Sequence, residues 1–97
     1  MLLWEELIQA KRDDILHAAT KYGASNVRIF GSVARGEADD QSDLDLLVDM
    51  DAECSLLHLA GLLIELEELL GHRVDIVTEE GLQDRVRKHI LQEAIGL

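Results

Sequence analysis

The sequence predicts a mixed α/β (α+β) fold: a small mixed β-sheet of three or more strands, covered by helices. Two observations predict it. Three short β-prone runs, Asn26–Phe30, Leu44–Met50 and His72–Thr78, alternate with stretches of helical periodicity, and that alternation favours a sheet with packed helices. Composition agrees: 47% apolar and 30% charged residues in 97 positions describe a globular chain, read as a single domain over residues 1–97. With one Trp, one Tyr and one Phe, the core must come mostly from Leu, Ile, Val and Ala.

Taken in order, Leu3 to Tyr22 forms an amphipathic helix. Trp4, Leu7, Ile8, Ile15, Ala19 and Tyr22 mark its apolar side, and Gly23 is its terminator. Asn26–Phe30 is a strand with Val27 and Ile29 on one face. A tight turn and short helix follow from Gly31 to about Ala38, with Ser32 as the expected N-cap, then a polar loop from Glu37 to Ser42. In the strand Leu44–Met50, Leu44, Leu46 and Val48 share one face, and Asp43, Asp45, Leu47 and Asp49 share the other. Ser55 caps a helix over Leu56–Leu70, whose stripe runs through Leu56, Leu59, Leu63, Leu66 and Leu70; Gly71 ends it. His72–Thr78 is a third strand, with Asp75 and Val77 opposite Val74 and Ile76. A last helix, about Leu82 to Ala94, carries Leu82, Val86 and Ile90 on one side.

The net charge of −11 argues against direct binding of nucleic acid or of an anionic membrane surface, because both depend on Lys and Arg. It suits a divalent cation, which offsets clustered carboxylates. The single Cys54 excludes an intramolecular disulfide, and a cytoplasmic location is expected. No apolar run reaches the roughly 18 residues of a membrane span, and Trp4-Glu5-Glu6 interrupts the apolar start that a signal peptide would need.

The chemistry concentrates between Ile29 and Met50. Residues two apart on a strand project to one side, so Asp43 and Asp45 are neighbours, and like charges that close call for a neutralising partner. Mg²⁺ prefers such oxygen ligands. Asp75 joins the pair if the third strand lies beside the second. Gly31, leaving a strand for a helix, can turn backbone N–H groups toward an anion, with the Ser32 hydroxyl and the Arg35 charge close by. Other motifs fail. Gly31 and Gly36 have a P-loop's glycine spacing, but Glu37-Ala38 stands where Lys-Ser/Thr is needed. Asp49-x-Asp51-x-Glu53 begins like a calcium loop without its Gly and final Glu. The four His and one Cys have no zinc spacing.

The composite Gly31-Ser32-x10-Asp43-x-Asp45, with Ala34-Arg35-Gly36 and Ser42 inside it, resembles the signature of the DNA polymerase β-like nucleotidyltransferase superfamily. More closely, the chain resembles the minimal nucleotidyltransferase (MNT) domain proteins, the MntA-like antitoxins of HEPN/MNT toxin–antitoxin pairs. Val74-Asp75-Ile76-Val77 matches that family's third-carboxylate strand, so the resemblance spans essentially the whole chain.

The resemblance implies the nucleotidyltransferase fold and a metal-dependent nucleotidyltransferase. Asp43, Asp45 and Asp75 would be catalytic and would ligate one or two Mg²⁺ ions, with Asp75 as ligand or base. Gly31, Ser32, Arg35 and Ser42 would contact the nucleoside triphosphate. It further implies transfer of AMP from ATP to a hydroxyl, in the nearest relatives a tyrosine, of a HEPN-domain toxin partner in a hetero-oligomer. Two alternatives stay open: an antitoxin that neutralises by occlusion alone, and transfer to a small molecule.

Overall fold

The computed structural model describes residues 3–97. Its elements run α1 (Trp4–Lys21), β1 (Ala24–Phe30), α2 (Gly31–Arg35), β2 (Leu44–Met50), α3 (Leu56–Leu70), β3 (Val74–Val77), a 3₁₀ turn (Glu79–Gly81), α4 (Asp84–Glu93) and β4 (Ile95–Gly96). The four strands make one sheet in the order β3-β2-β1-β4. β2 is antiparallel to β1 and parallel to β3, and β4 runs antiparallel along the other side of β1. The mixed sheet expected from the sequence is therefore present, with one strand more than the three read there.

β2, between β1 and β3, is the most fully buried strand. Leu44, Leu46, Leu47 and Val48 are all essentially inaccessible to solvent. Helices α1 and α3 pack on each other and cover one side of the sheet. Ile8, Ile15, Ala18 and Ala19 from α1 meet Leu62, Leu66 and Leu70 from α3, above Val27, Ile29, Leu44, Leu46, Val48 and Val74. Burying side chains of this size removes roughly 1.5–3 kcal/mol of unfavourable apolar exposure each, so this layer is the main stabilising element. The parallel β2–β3 pair requires a crossover, and α3 supplies it.

Several local expectations need correction. Ser32 is not an N-cap: α2 starts at Gly31, two residues earlier than a Ser32 cap would place it, with Phe30 at the cap position and no side-chain capping bond. β1 starts at Ala24 and carries a bulge between Ser25 and Arg28, where Asn26 adopts φ 49°. The α3 stripe is centred on Leu62, Leu66 and Leu70, while Leu56, in the first turn, is 82% exposed. Ser55 does cap α3. Its hydroxyl accepts from Leu57 N–H at 3.2 Å, and its own N–H donates to His58 Nδ1 at 3.1 Å. Within α4 only Ile90 is buried, and Val86 is 43% exposed, so this helix lies loosely against β1 and α2.

Candidate active site

Strand direction brings the predicted residues to one edge of the sheet. Because β1 is antiparallel to β2, its end at Phe30 lies beside the start of β2, with Phe30 opposite Asp45. Because β3 is parallel to β2, its start also lies there, with Asp75 opposite Asp45. Residues directly opposite in neighbouring strands project to the same side of a sheet. Asp45 is thus flanked by Phe30 and Asp75, on the face away from α1 and α3. Asp43 ends the loop before β2, two residues from Asp45. Asp43 and Asp75 are exposed and line one shallow depression together with Leu63, Glu67 and Arg73.

The glycine turn packs directly on this group. Gly31 has φ 75°, and a Cβ there would collide with Asp45 Oδ2. The position thus excludes a side chain on two counts, backbone conformation and space. The requirement for glycine comes from the close approach of the turn to the carboxylate.

Electrostatics give Asp45 a special place. Its carboxyl is held above the usual carboxylate range, first because it is partly withdrawn from water, then because Asp75 and Asp43 repel its charge; Arg35 acts in the opposite direction. Among the described residues no three His, Cys, Asp or Glu side chains stand close enough together to form a metal centre as they are. The donors nevertheless suit a hard divalent ion: three carboxylates on neighbouring backbone positions, two of them exposed, the third, Asp45, repelled by both and only partly offset by Arg35.

The remaining predicted residues divide. Arg35 is next to the turn, where Nε donates to Glu37 at 3.0 Å and the guanidinium NH1 donates to Glu93 Oε1 at 3.0 Å. The Ser32 hydroxyl has no hydrogen bond to the described residues. Ser42 is committed elsewhere: its Oγ accepts from Asp39 N–H at 3.0 Å and donates to Asp39 Oδ1 at 3.2 Å, closing the polar loop on itself. Two residues not singled out from sequence join this face. Glu93, at the end of α4, accepts the Gly31 N–H at 2.7 Å. Arg28, only 13% exposed at its side chain, pairs with Asp49 at 2.9 Å and Glu79 at 3.5 Å. Sequence gives no signal for Glu93, which meets Gly31 across 62 positions. Arg28 had a signal: its alternation with Val27 and Ile29 puts it on the carboxylate face of β1.

Comparison with known proteins adds to this geometry. The nucleotidyltransferase domain family matches residues 12–97. The chain belongs to that family. It is 41% identical over 75 residues to the protein adenylyltransferase MntA of Thermococcus cleftensis, covering 77% of this chain and 76% of that protein. It is also 41% identical over 83 residues to a Methanocaldococcus jannaschii protein named "putative protein adenylyltransferase", covering 86% of this chain and 89% of that one. A solved structure described as a "putative minimal nucleotidyltransferase" superposes with a TM-score of 0.87 at 52% identity, over 95% of this chain and 94% of the other. A toxin–antitoxin crystal structure with AMP-PNP shares the fold at 17% identity, with a TM-score of 0.74 over 87% of this chain and 69% of that one. The nucleotidyltransferase fold is therefore that of this chain, and its homologues are named protein adenylyltransferases.

Proposed function

We propose that this nucleotidyltransferase-family chain is the antitoxin of a toxin–antitoxin pair. In this reading it transfers AMP from ATP to a hydroxyl, that of a tyrosine, on a HEPN-domain toxin. The observation that carries the reading is the register that sets Asp75 opposite Asp45, with the Gly31 turn packed on the same carboxylate. The names of the relatives, protein adenylyltransferase and toxin–antitoxin, support the choice of donor and acceptor.

Asp43, Asp45 and Asp75 would hold Mg²⁺, which when bound supplies charge neutralisation for the triphosphate and relieves the repulsion at Asp45. The turn at Gly31 and Ser32 receives phosphate oxygens through N–H and O–H donors, and Arg35 contributes a positive charge. Ser42, whose hydroxyl serves its own loop, would contact the nucleotide only after exchanging Asp39 for it. The acceptor hydroxyl gives its proton to Asp75, and its oxygen attacks the α-phosphorus. The bond from that phosphorus to the β-phosphate bridging oxygen breaks, pyrophosphate leaves and an AMP–oxygen ester remains. Catalysis rests on alignment of these groups and on fixed charge.

Intact-mass measurement of the toxin, after incubation with this protein, Mg²⁺ and each nucleoside triphosphate in turn, tests the reading. Addition of whole AMP units with ATP is expected. The double variant D43N/D45N is expected to lose about 10²–10³-fold or more in rate, the scale for removing an electrostatic stabiliser. An unmodified toxin that is still neutralised by wild type and by D43N/D45N alike would replace catalysis with occlusion.

A further inference from the structure

The Gly31 turn is already holding a carboxylate. Glu93 Oε2 accepts the Gly31 N–H at 2.7 Å, and Oε1 accepts from Arg35 at 3.0 Å. These are two of the donors that the proposed function assigns to the triphosphate. The Glu93 side chain is 17% exposed, tucked between the turn and the guanidinium. Its position adds a further negative charge beside Asp45, on top of Asp43 and Asp75, so the contact persists against repulsion.

The element that delivers Glu93 is weakly held. α4 buries only Ile90. β4, one residue beyond Glu93, is two residues long and pairs only Arg28 with Gly96 and Ile29 with Ile95. Beyond that, Leu97 N–H donates to Val27 O at 2.9 Å and Arg12 donates to Leu97 O at 3.0 Å. Segments with few buried apolar contacts open at low free energy.

We propose that Glu93 is an internal stand-in for a phosphate group, holding the Gly31 turn and Arg35 until a nucleoside triphosphate displaces it and frees the end of α4. The proposal rests on the nucleotide-binding reading above and adds its regulation. A carboxylate and a phosphate oxygen compete for the single Gly31 N–H, so only one occupies it, and Glu93 takes up part of the Arg35 donor set as well. By linkage, whatever nucleotide binding loosens will, when loosened otherwise, favour nucleotide. A partner that grips α4 or β4 would then prime the site.

Two measurements on the full chain test this. The first is the affinity of Mg·AMP-PNP, by titration calorimetry, for wild type, Glu93→Gln and Glu93→Ala. Removing the competitor is expected to tighten binding about tenfold for Glu93→Ala, the gain when only a tenth of the molecules are open beforehand. Glu93→Gln, which keeps an acceptor oxygen but not the charge, is expected to fall between the two. The second is amide hydrogen exchange of wild type over residues 90–97, expected to quicken when Mg·AMP-PNP is added. Unchanged or weaker affinity in folded Glu93 variants, or exchange that nucleotide slows or leaves alone, overturns the proposal. If a Glu93 variant does not fold, wild-type exchange decides alone. Absence of binding by wild type and both folded variants would instead remove the nucleotide-binding reading, and the proposal with it.

Discussion

Asp45 and Glu93 are shifted in opposite directions by their surroundings. Partial burial and two acidic neighbours raise the affinity of Asp45 for a proton, whereas the Gly31 N–H and Arg35 hold Glu93 below the usual carboxylate range. Their linkage signs are opposite. The raised Asp45 favours folding while protonated and withdraws that help as pH climbs above its ordinary value of 3.8. The lowered Glu93 stabilises above its ordinary value of 4.5 and loses this as pH falls. Asp45→Asn, which removes the repelled charge, is therefore expected to melt about 2–6 °C higher than wild type near neutrality in metal-free buffer. That gain should shrink as pH is lowered to the range where Asp45 is protonated in the wild type. Thermal melts across pH check both parts, and a lower melting temperature at neutrality would contradict the repulsion. Gly31→Ala meets both a left-handed backbone and the Asp45 carboxylate, and is expected to cost about 1–3 kcal/mol in denaturant unfolding. At this scale the sequence was most legible where spacing is local. Asp43 and Asp45 are two positions apart where the loop enters β2, and Gly31 precedes them by a short helix and a polar loop. Glu93 was invisible because its role exists only once α4 folds back over β1, and the bonds that tie the Ser42 hydroxyl to Asp39 within one turn leave no mark in the sequence spacing.

Among the elements, α3 shows how a pattern can be right in kind and shifted in phase. Its bounds and its cap followed from Ser55, the leucine repeat and Gly71. The buried line did not, because leucines occur on more than one side of this helix, and which side faces inward is decided by α1 and the sheet. Leu66→Ala is expected to cost about 2–5 kcal/mol, and Leu56→Ala to stay within about 0.5 kcal/mol, since Leu66 is 1% exposed and Leu56 82%. Equilibrium denaturation of the two variants measures the contrast. β4 escaped detection for a different reason: two residues give no alternation to read. The bulge at Asn26 was equally hidden, being a fit between β1 and β2 that neither strand encodes alone.

For the whole molecule, the arrangement that matters is directional. An antiparallel β1 and a parallel β3 on either side of β2 put the exit of one strand and the entrances of two others at the same edge. The strand ends bring the backbone positions of three acids and a glycine turn to that edge, on a chain of net charge −11. Such a surface attracts divalent cations generally. The account accordingly requires a local response beyond a general one: at matched ionic strength, Mg²⁺ should raise the melting temperature of wild type more than that of D43N/D45N. The order of helices and strands was readable from periodicity, whereas the pairing of β2 with β3 was a condition that the sequence left open and the parallel register meets. The most direct trial of the central claim, one metal–nucleotide site built by the Gly31 turn and the three aspartates, is paramagnetic broadening of backbone amide signals by Mn²⁺ with AMP-PNP. The account predicts broadening concentrated at Gly31, Ser32, Asp43, Asp45 and Asp75 and lost in Asp45→Asn; broadening centred on other acidic stretches, such as Asp13-Asp14 or Glu79-Glu80, would contradict it.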